Sequence, residues 1–320
     1  MRVAVIGAVS STLITLKKLH QYGFDIHVVF GQKPDNPSKV SGLVDMESFC
    51  NDNNIRYIPF KRINDLENIT LLKKLELDVI FALGFSQLVS DEILSIPKFG
   101  CIGFHPTKLP KGRGRAPSVW LLLEEEVGAA TFFLMGKGMD DGPIFVQEEF
   151  KVLDKDNSES LRLKLLDALD LALDKWLPKL KNGIWEPIPQ DENLASYYGK
   201  RNPLDGWISW ERNVIEIDRL IRATSKPYPG AFTFYKDSKL IVWNSSIEKN
   251  LKIKGVIGRI LLIKDGSLLV QTGEGLLWIN DYDLQLPNGE MIQNPNFKVG
   301  EKLGYNVEYE IYKLKNNISI

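Results

Sequence analysis

At 320 residues the chain exceeds the usual span of one hydrophobic core, so two domains are the first expectation. With 44% hydrophobic and 25% charged residues it has the composition of a folded globular protein, which excludes a disordered chain. The 40 basic and 41 acidic residues leave a formal net charge of -1, so the whole-chain balance exerts no pull on a polyanion, and nucleic acid is disfavoured as a partner.

The chain begins with MRVAVIGAVSS, an apolar run that meets Gly7 too early for a signal segment and has no cleavage site. No run elsewhere is long enough to span a bilayer, so a cytoplasmic protein without a membrane partner is expected. Candidate strands then follow in order: RVAVIG from Arg2, FDIHVVFG from Phe24, RYIPF from Arg56, LDVIFALG from Leu77, GCIGFHP from Gly100, AATFFLM from Ala129 and PIFVQEEF from Pro143. Helical spacing of Leu13, Leu16 and Leu19 predicts a crossover helix over Thr12 to Tyr22, and Ser90 opens a short one over Asp91 to Ile96. Strands alternating with helices predict an α/β domain built on a mostly parallel sheet. A longer amphipathic helix from Ser158 to Leu177 carries Leu161, Leu165, Leu169, Ala172 and Trp176 on one stripe, with Pro178 expected to stop it.

The stretch after Asn182 and Gly183, EPIPQDENLASYYGKRNPLDG, is rich in turn formers and polar residues and reads as a linker. Beyond it come a short helix over Ile215 to Thr224 and the β runs AFTFY, KLIVW, VIGRILLI, SLLVQT and GLLWIND. Short strands between turns predict a small barrel-like module of the oligonucleotide/oligosaccharide-binding type. The expected boundaries are therefore a first domain over 1–183, a linker over 184–204 and a C-terminal domain over 205–320. The two cysteines, Cys50 and Cys101, form no CxxC; they read as buried small hydrophobes, with neither a disulfide framework nor a metal site.

The segment GAVSST has one glycine where a dinucleotide fingerprint needs three, which argues against NAD. Gly7 and Ser10 could still offer amides and a hydroxyl to a substrate phosphate at a helix start, or could simply form a strand-to-helix turn with a serine cap. His105 follows an apolar strand, at the place where ligand crevices open in parallel sheets. The other two histidines, His20 and His27, lack polar company. After His105, Lys108, Lys111, Arg113 and Arg115 crowd a loop of prolines and glycines suited to an anionic ligand, although solvated charge is the ordinary reading of such residues. Asp140 and Asp141 lie between Gly138 and Gly142, where a turn chosen for its backbone conformation explains them as well as a proton-transfer role does.

Taken in order, FHPTKLPKGRGRAP, TFFLMGKGMDDGPI, DGWISW, IDRLIRAT and PYPGAFTFY resemble the folate-dependent formyltransferases, both those that act on sugars and those that act on methionyl-tRNA. The resemblance covers nearly the whole chain. It implies N10-formyltetrahydrofolate as co-substrate, no metal, and a catalytic set of an Asn, a His two positions later and a downstream Asp. His105 and Asp140 match the last two, and Gly103 stands where the Asn is expected. One missing hydrogen-bond donor of this kind can cost about 2.7 to 4 kcal/mol in the transition state. Gln87 is the candidate substitute. The resemblance also implies a folate pocket formed by Phe85, Gln87, Leu88, Val89 and the backbone of Met139 and Asp140. The anion-binding readings of Gly7, Ser10, Lys111, Arg113 and Arg115 suit the diphosphate of a sugar nucleotide. A nucleotide-linked amino-deoxy sugar is the expected acceptor, in lipopolysaccharide or other glycan biosynthesis. The alternatives are a methionyl-tRNA formyltransferase, or a folate or nucleotide-sugar binding protein impaired by Gly103. The C-terminal module can serve as a homodimer interface, a second nucleotide site or a cap.

Overall fold

A computed structural model describes residues 1–36, 42–85, 87–124, 126–293, 295–305 and 307–316. The chain forms two compact units, one of residues 1–154 with 160–200, the other of residues 155–159 with 201–320.

In the first unit, β1 (Arg2–Gly7), β2 (Asp25–Gln32), β3 (Tyr57–Phe60), β4 (Val79–Leu83) and β5 (Cys101–Thr107) alternate with α1 (Ser10–Gln21), α2 (Glu47–Asp52), α3 (Leu66–Lys74) and α4 (Asp91–Leu94). A two-residue β6 (Arg113–Gly114) and α5 (Pro117–Glu124) lead to β7 (Gly128–Leu134), β8 (Ile144–Phe150), α6 (Ser158–Lys181) and β9 (Tyr197–Tyr198). The main sheet has the order β3-β2-β1-β4-β5-β7-β8; its first five strands are parallel, while β7 and β8 run antiparallel to their neighbours. All seven predicted strands are present.

Period-two alternation explains the two core layers. Val3 and Val5 of β1, with Val79, Phe81 and Leu83 of β4, face Leu16, Leu19 and Trp176 on one side of the sheet. Ala4 and Ile6, with Ile80 and Ala82, face Phe30, Phe60 and Leu72 on the other. Strands buried on both faces read as continuous apolar runs, as these do. Because β1 leads outward to β2 while β4 lies on its other side, the carboxyl ends of β1 and β4 flank a reversal of strand order, where crevices open in such sheets.

Three expectations differ in detail. Helix α1 starts at Ser10 with Val9 as N-cap and no side-chain cap, so the serine does not act as its cap. Helix α6 runs through Pro178 to Lys181. A proline in the last turn forfeits one backbone bond, and the fully buried Leu180 beyond it offsets the loss. Most of the predicted linker is not a free connection: residues 184–200 belong to the first unit, β9 pairs in parallel with β6, and Ile188 bridges to Ile144.

The second unit contains α7 (Val214–Thr224), capped by Asn213, and β10 (Ala231–Tyr235), β11 (Ser238–Glu248), β12 (Ile260–Lys264), β13 (Ser267–Gln271), β14 (Leu276–Gln285) and β15 (Met291–Gln293), followed by α8 (Val307–Lys315). The strands form an antiparallel sheet in the order β10-β11-β14-β13-β12, with β15 on β14. Among the described residues no ladder joins β12 to β10. Instead the segment 300–304 bridges the gap: Gly300 N–H donates to Ile260 O, Leu303 N–H to Gly258 O and Gly304 N–H to Phe234 O. The barrel-like closure is thus completed by irregular backbone.

Candidate active site

His105 is the fifth residue of β5, opposite Thr131 on β7, and is 5% exposed. Its environment is a lattice of short polar side chains that hold the loop after β5. Thr131 Oγ1 donates to Thr107 O at 2.7 Å, Thr107 Oγ1 to Lys111 O at 2.8 Å, and Gln147 Nε2 to both Leu109 O and Thr131 Oγ1. These bonds place the Gly112 carbonyl 2.9 Å from His105 Nε2. A carbonyl can only accept, so Nε2 carries the proton and the neutral ring keeps its lone pair on Nδ1. Burial depresses the imidazole below its ordinary value, while the Asp140 carboxylate and the Gly112 carbonyl oppose that shift.

Nδ1 faces Asp140 Oδ2 at 3.5 Å. The same carboxylate oxygen accepts the Gly114 N–H at 2.9 Å. Asp140 has a left-handed backbone, φ 53°, within the turn between β7 and β8. Its neighbour folds the other way: the Asp141 carboxylate lies over Gly138, where any side chain at 138 would meet it. The structure therefore separates two adjacent acids that spacing alone could not, and it brings His105 and Asp140 together.

Gly103 lies two residues before His105, so it shares His105's face of β5. A Cβ built there would stand 2.9 Å from both Met135 Cγ and Phe133 Cζ. The space beside Gly103 is filled by apolar atoms of Met135 and Phe133. Gln87 is not the substitute either. Its amide donates to Lys61 O at 2.5 Å and accepts the Ile63 N–H at 2.9 Å, so it fastens the loop after β4 to the loop after β3.

The other predicted pocket residues divide between wall and surface. Phe85 and Val89 pack with Met135 against one core layer, while Leu88 and Met139 are 88% and 55% exposed. The loops that carry them are joined by an ion pair from Lys137 to Asp91 at 3.2 Å. Gly7 is buried, and a Cβ there would strike Leu83 O and Thr12, so close strand and helix packing explains it. Ser10 is half-buried and donates its N–H to Gly42 O at 3.1 Å.

Among the predicted anion binders, Lys111 and Arg115 are exposed. Arg113 is 0% exposed, and all five of its donors are engaged: Nε and Nη2 with Gln190 Oε1, Nη1 and Nη2 with the Glu192 carboxylate, and Nη1 with Tyr197 Oη. A guanidinium so committed has no fork left for a phosphate, and its expected ligand role is corrected to an internal one. Sequence reasoning also passed over Gln190 and Ser196. Gln190 Nε2 donates to the carbonyls of Asp140 and Gly142 at 2.8 and 2.7 Å, and Ser196 Oγ accepts the Gly112 N–H at 2.9 Å. The only sequence signal was the run of polar residues in a stretch read as a linker.

Comparison with known proteins bears on the same segments. The formyl transferase family model matches residues 1–175, and that of the formyl transferase C-terminal domain matches residues 201–302. The chain belongs to the formyl transferase family. This family member is 36% identical over 260 residues to the bifunctional polymyxin resistance protein ArnA of Wigglesworthia glossinidia brevipalpis, covering 80% of this chain and 40% of that protein. HypX from Aquifex aeolicus in complex with tetrahydrofolic acid is similar with a TM-score of 0.65 at 16% identity, covering 94% of this chain and 50% of that one. An N-formyltransferase from Helicobacter canadensis, in complex with folinic acid and dTDP-3-aminofucose, gives 0.64 at 19% identity, covering 88% of this chain and 98% of that one. At these identities the two solved structures speak for the fold. The formyl transferase chain described here thus spans half or less of the ArnA and HypX proteins.

Proposed function

We propose that this family member transfers a formyl group from N10-formyltetrahydrofolate to the amine of a nucleotide-linked amino-deoxy sugar, in cytoplasmic lipopolysaccharide or other glycan biosynthesis. The observation that carries the reading is the buried His105, whose Nδ1 lone pair is turned toward Asp140 by the Gly112 carbonyl. The H. canadensis enzyme, whose structure contains folinic acid and dTDP-3-aminofucose, supports the choice of donor and acceptor and has nearly the same span as this chain.

The pocket walls fit a flat, largely apolar ring system. Phe85, Val89 and Met135 offer an apolar wall, and the exposed Leu88 and Met139 stand on loops joined through Lys137 and Asp91. The backbone of Met139 and Asp140 would border it, and Gln87 would act by holding the loop. Bound formyl-folate supplies an activated formyl carbonyl. As the amine nitrogen bonds the formyl carbon, His105 Nδ1 takes the proton it loses and Asp140 balances the imidazolium charge; the same proton returns to N10 as the C–N10 bond breaks and tetrahydrofolate leaves. Once protonated, Nδ1–H pairs with Asp140 Oδ2 and Nε2–H stays on the Gly112 carbonyl, so the ring acts on the carbonyl oxygen through the positive charge it gains. Lys111 and Arg115, exposed on the loop after β5, suit the diphosphate of the acceptor, with Ser10 at the start of α1.

The test is a panel assay. The protein is incubated with formyl-folate and dTDP-, UDP- or GDP-linked amino sugars, or with charged initiator tRNA, and the acceptor mass is read. A formylated sugar nucleotide is expected; formylation of tRNA alone would overturn the acceptor. A binding protein without turnover would give no formylated product while retaining both ligands.

A further inference from the structure

Residues 176–200 fall between the two matched family segments. Within them, 188–198 run as a strap along the first unit and hold both halves of the candidate catalytic pair. Ser196 Oγ takes the Gly112 N–H, and Gly112 O in turn fixes His105 Nε2. Ser196 O and Tyr198 O take the Arg113 and Arg115 N–H groups, which fixes the strand whose Gly114 N–H binds Asp140. Gln190 reaches the other partner, with one amide nitrogen donating to two carbonyls of the Asp140 turn. The orientation of that amide is enforced, because Arg113 donates twice to Gln190 Oε1 and can tolerate only an oxygen there. The buried Arg113 is locked in its turn by the Glu192 carboxylate.

We infer that Gln190 is a positioning residue for the reaction: through its two hydrogen bonds to the Asp140 and Gly142 carbonyls it sets the separation between Asp140 Oδ2 and His105 Nδ1. The turn it clamps has reason to drift. Asp140 holds a left-handed backbone that a residue other than glycine adopts at a cost, and such conformations persist where surrounding bonds over-determine them. Arg113 and Glu192 then act one step further out, by holding the clamp. The role rests on the formyl-transfer reading, but the geometry it claims can be measured without any substrate.

Gln190→Met keeps the length of the side chain and removes both donors. With the formyl donor and the sugar nucleotide that the wild type accepts, kcat is expected to fall about ten- to a hundredfold, the scale of an ångström-level misplacement, with KM for the acceptor little changed. Repeated in an Asp140→Asn background, the same change should cost less than twofold, because the group it positions is already disabled. The substrate-free arm follows the His105 ring by NMR. Gln190→Met should move its titration downward, toward that of Asp140→Asn, as the carboxylate drifts away. If Gln190→Met does not fold, Gln190→Leu, uncharged and likewise without the amide donors, carries the same expectations. Equal losses in both backgrounds, or an unmoved His105 titration in a folded variant, overturn the inference. A wild type without transferase activity but with a shifted titration in the variant would overturn the proposed function and leave the positioning role standing.

Discussion

The smallest decisive feature is the committed proton on His105 Nε2. Because the Gly112 carbonyl holds it, only Nδ1 titrates, and Nδ1 faces Asp140. Burial puts the folded imidazole below its ordinary 6.5, so between the folded value and 6.5 the unfolded chain binds a proton that the folded chain does not. The contribution of His105 to stability is therefore complete above about 6.5 and is lost as pH falls toward the folded value. Urea unfolding across that range should show the decline, and His105→Asn should flatten it. The same ionisation removes the base, so kcat/KM should fall on the acid side with a midpoint below 6.5. At Gly103 the outcome has the opposite sign from a simple restoration. Installing the family's Asn by Gly103→Asn forces Phe133 and Met135 aside, and a loss of about 1–3 kcal/mol in unfolding free energy is expected, without a gain in kcat.

At the scale of elements, the loop after β5 distributes its cations between two tasks. Replacing the buried Arg113 with Met removes five hydrogen bonds and strands the Gln190 carbonyl, so a loss of about 2–4 kcal/mol is expected by denaturant titration. Lys111→Ala and Arg115→Ala, at exposed positions, should stay within about 0.5 kcal/mol of the parent and raise KM for the sugar nucleotide instead. This division marks the limit of what spacing could reveal. Four cations in PTKLPKGRGRAP look alike in a sequence, and it is the Gln190, Glu192 and Tyr197 side chains, more than seventy residues away, that draw one of them inward. Elements fared better where one local signal dominated. The parallel strands were legible because burial on two faces leaves uninterrupted apolar runs, and α4 was legible because Ser90 accepts the Ile93 N–H as its cap. The end of α6 was misread because the packing of Leu180 outweighs Pro178, and the start of α1 because Val9, not a serine, takes the cap position. Helices α2, α3 and α5 carry too few apolar positions, or too short a stripe, to declare a period.

For the molecule as a whole, the family and both units could be read from ordered motifs, while the strap could not. A stretch of prolines, glycines and polar residues satisfies a linker description, yet its polar groups are spent on the backbone of the pair they support. His105 was found from its strand-end position, and Asp140 only by resemblance; the Gly138 to Gly142 turn now accounts for the choice, because it folds Asp141 back on itself. The even charge balance bears on the acceptor. A chain with net charge -1 that takes a small sugar nucleotide should lose little affinity as salt rises, against the steep fall that many phosphate contacts would bring. The most direct test of the central claim is acceptor mass after incubation with formyl-folate and the sugar-nucleotide panel, for wild type beside His105→Ala. A formylated amino sugar is expected with the wild type, and a rate lower by about a hundred- to ten-thousandfold with the variant. Equal formylation by both proteins, or formyl transfer to initiator tRNA alone, would contradict it.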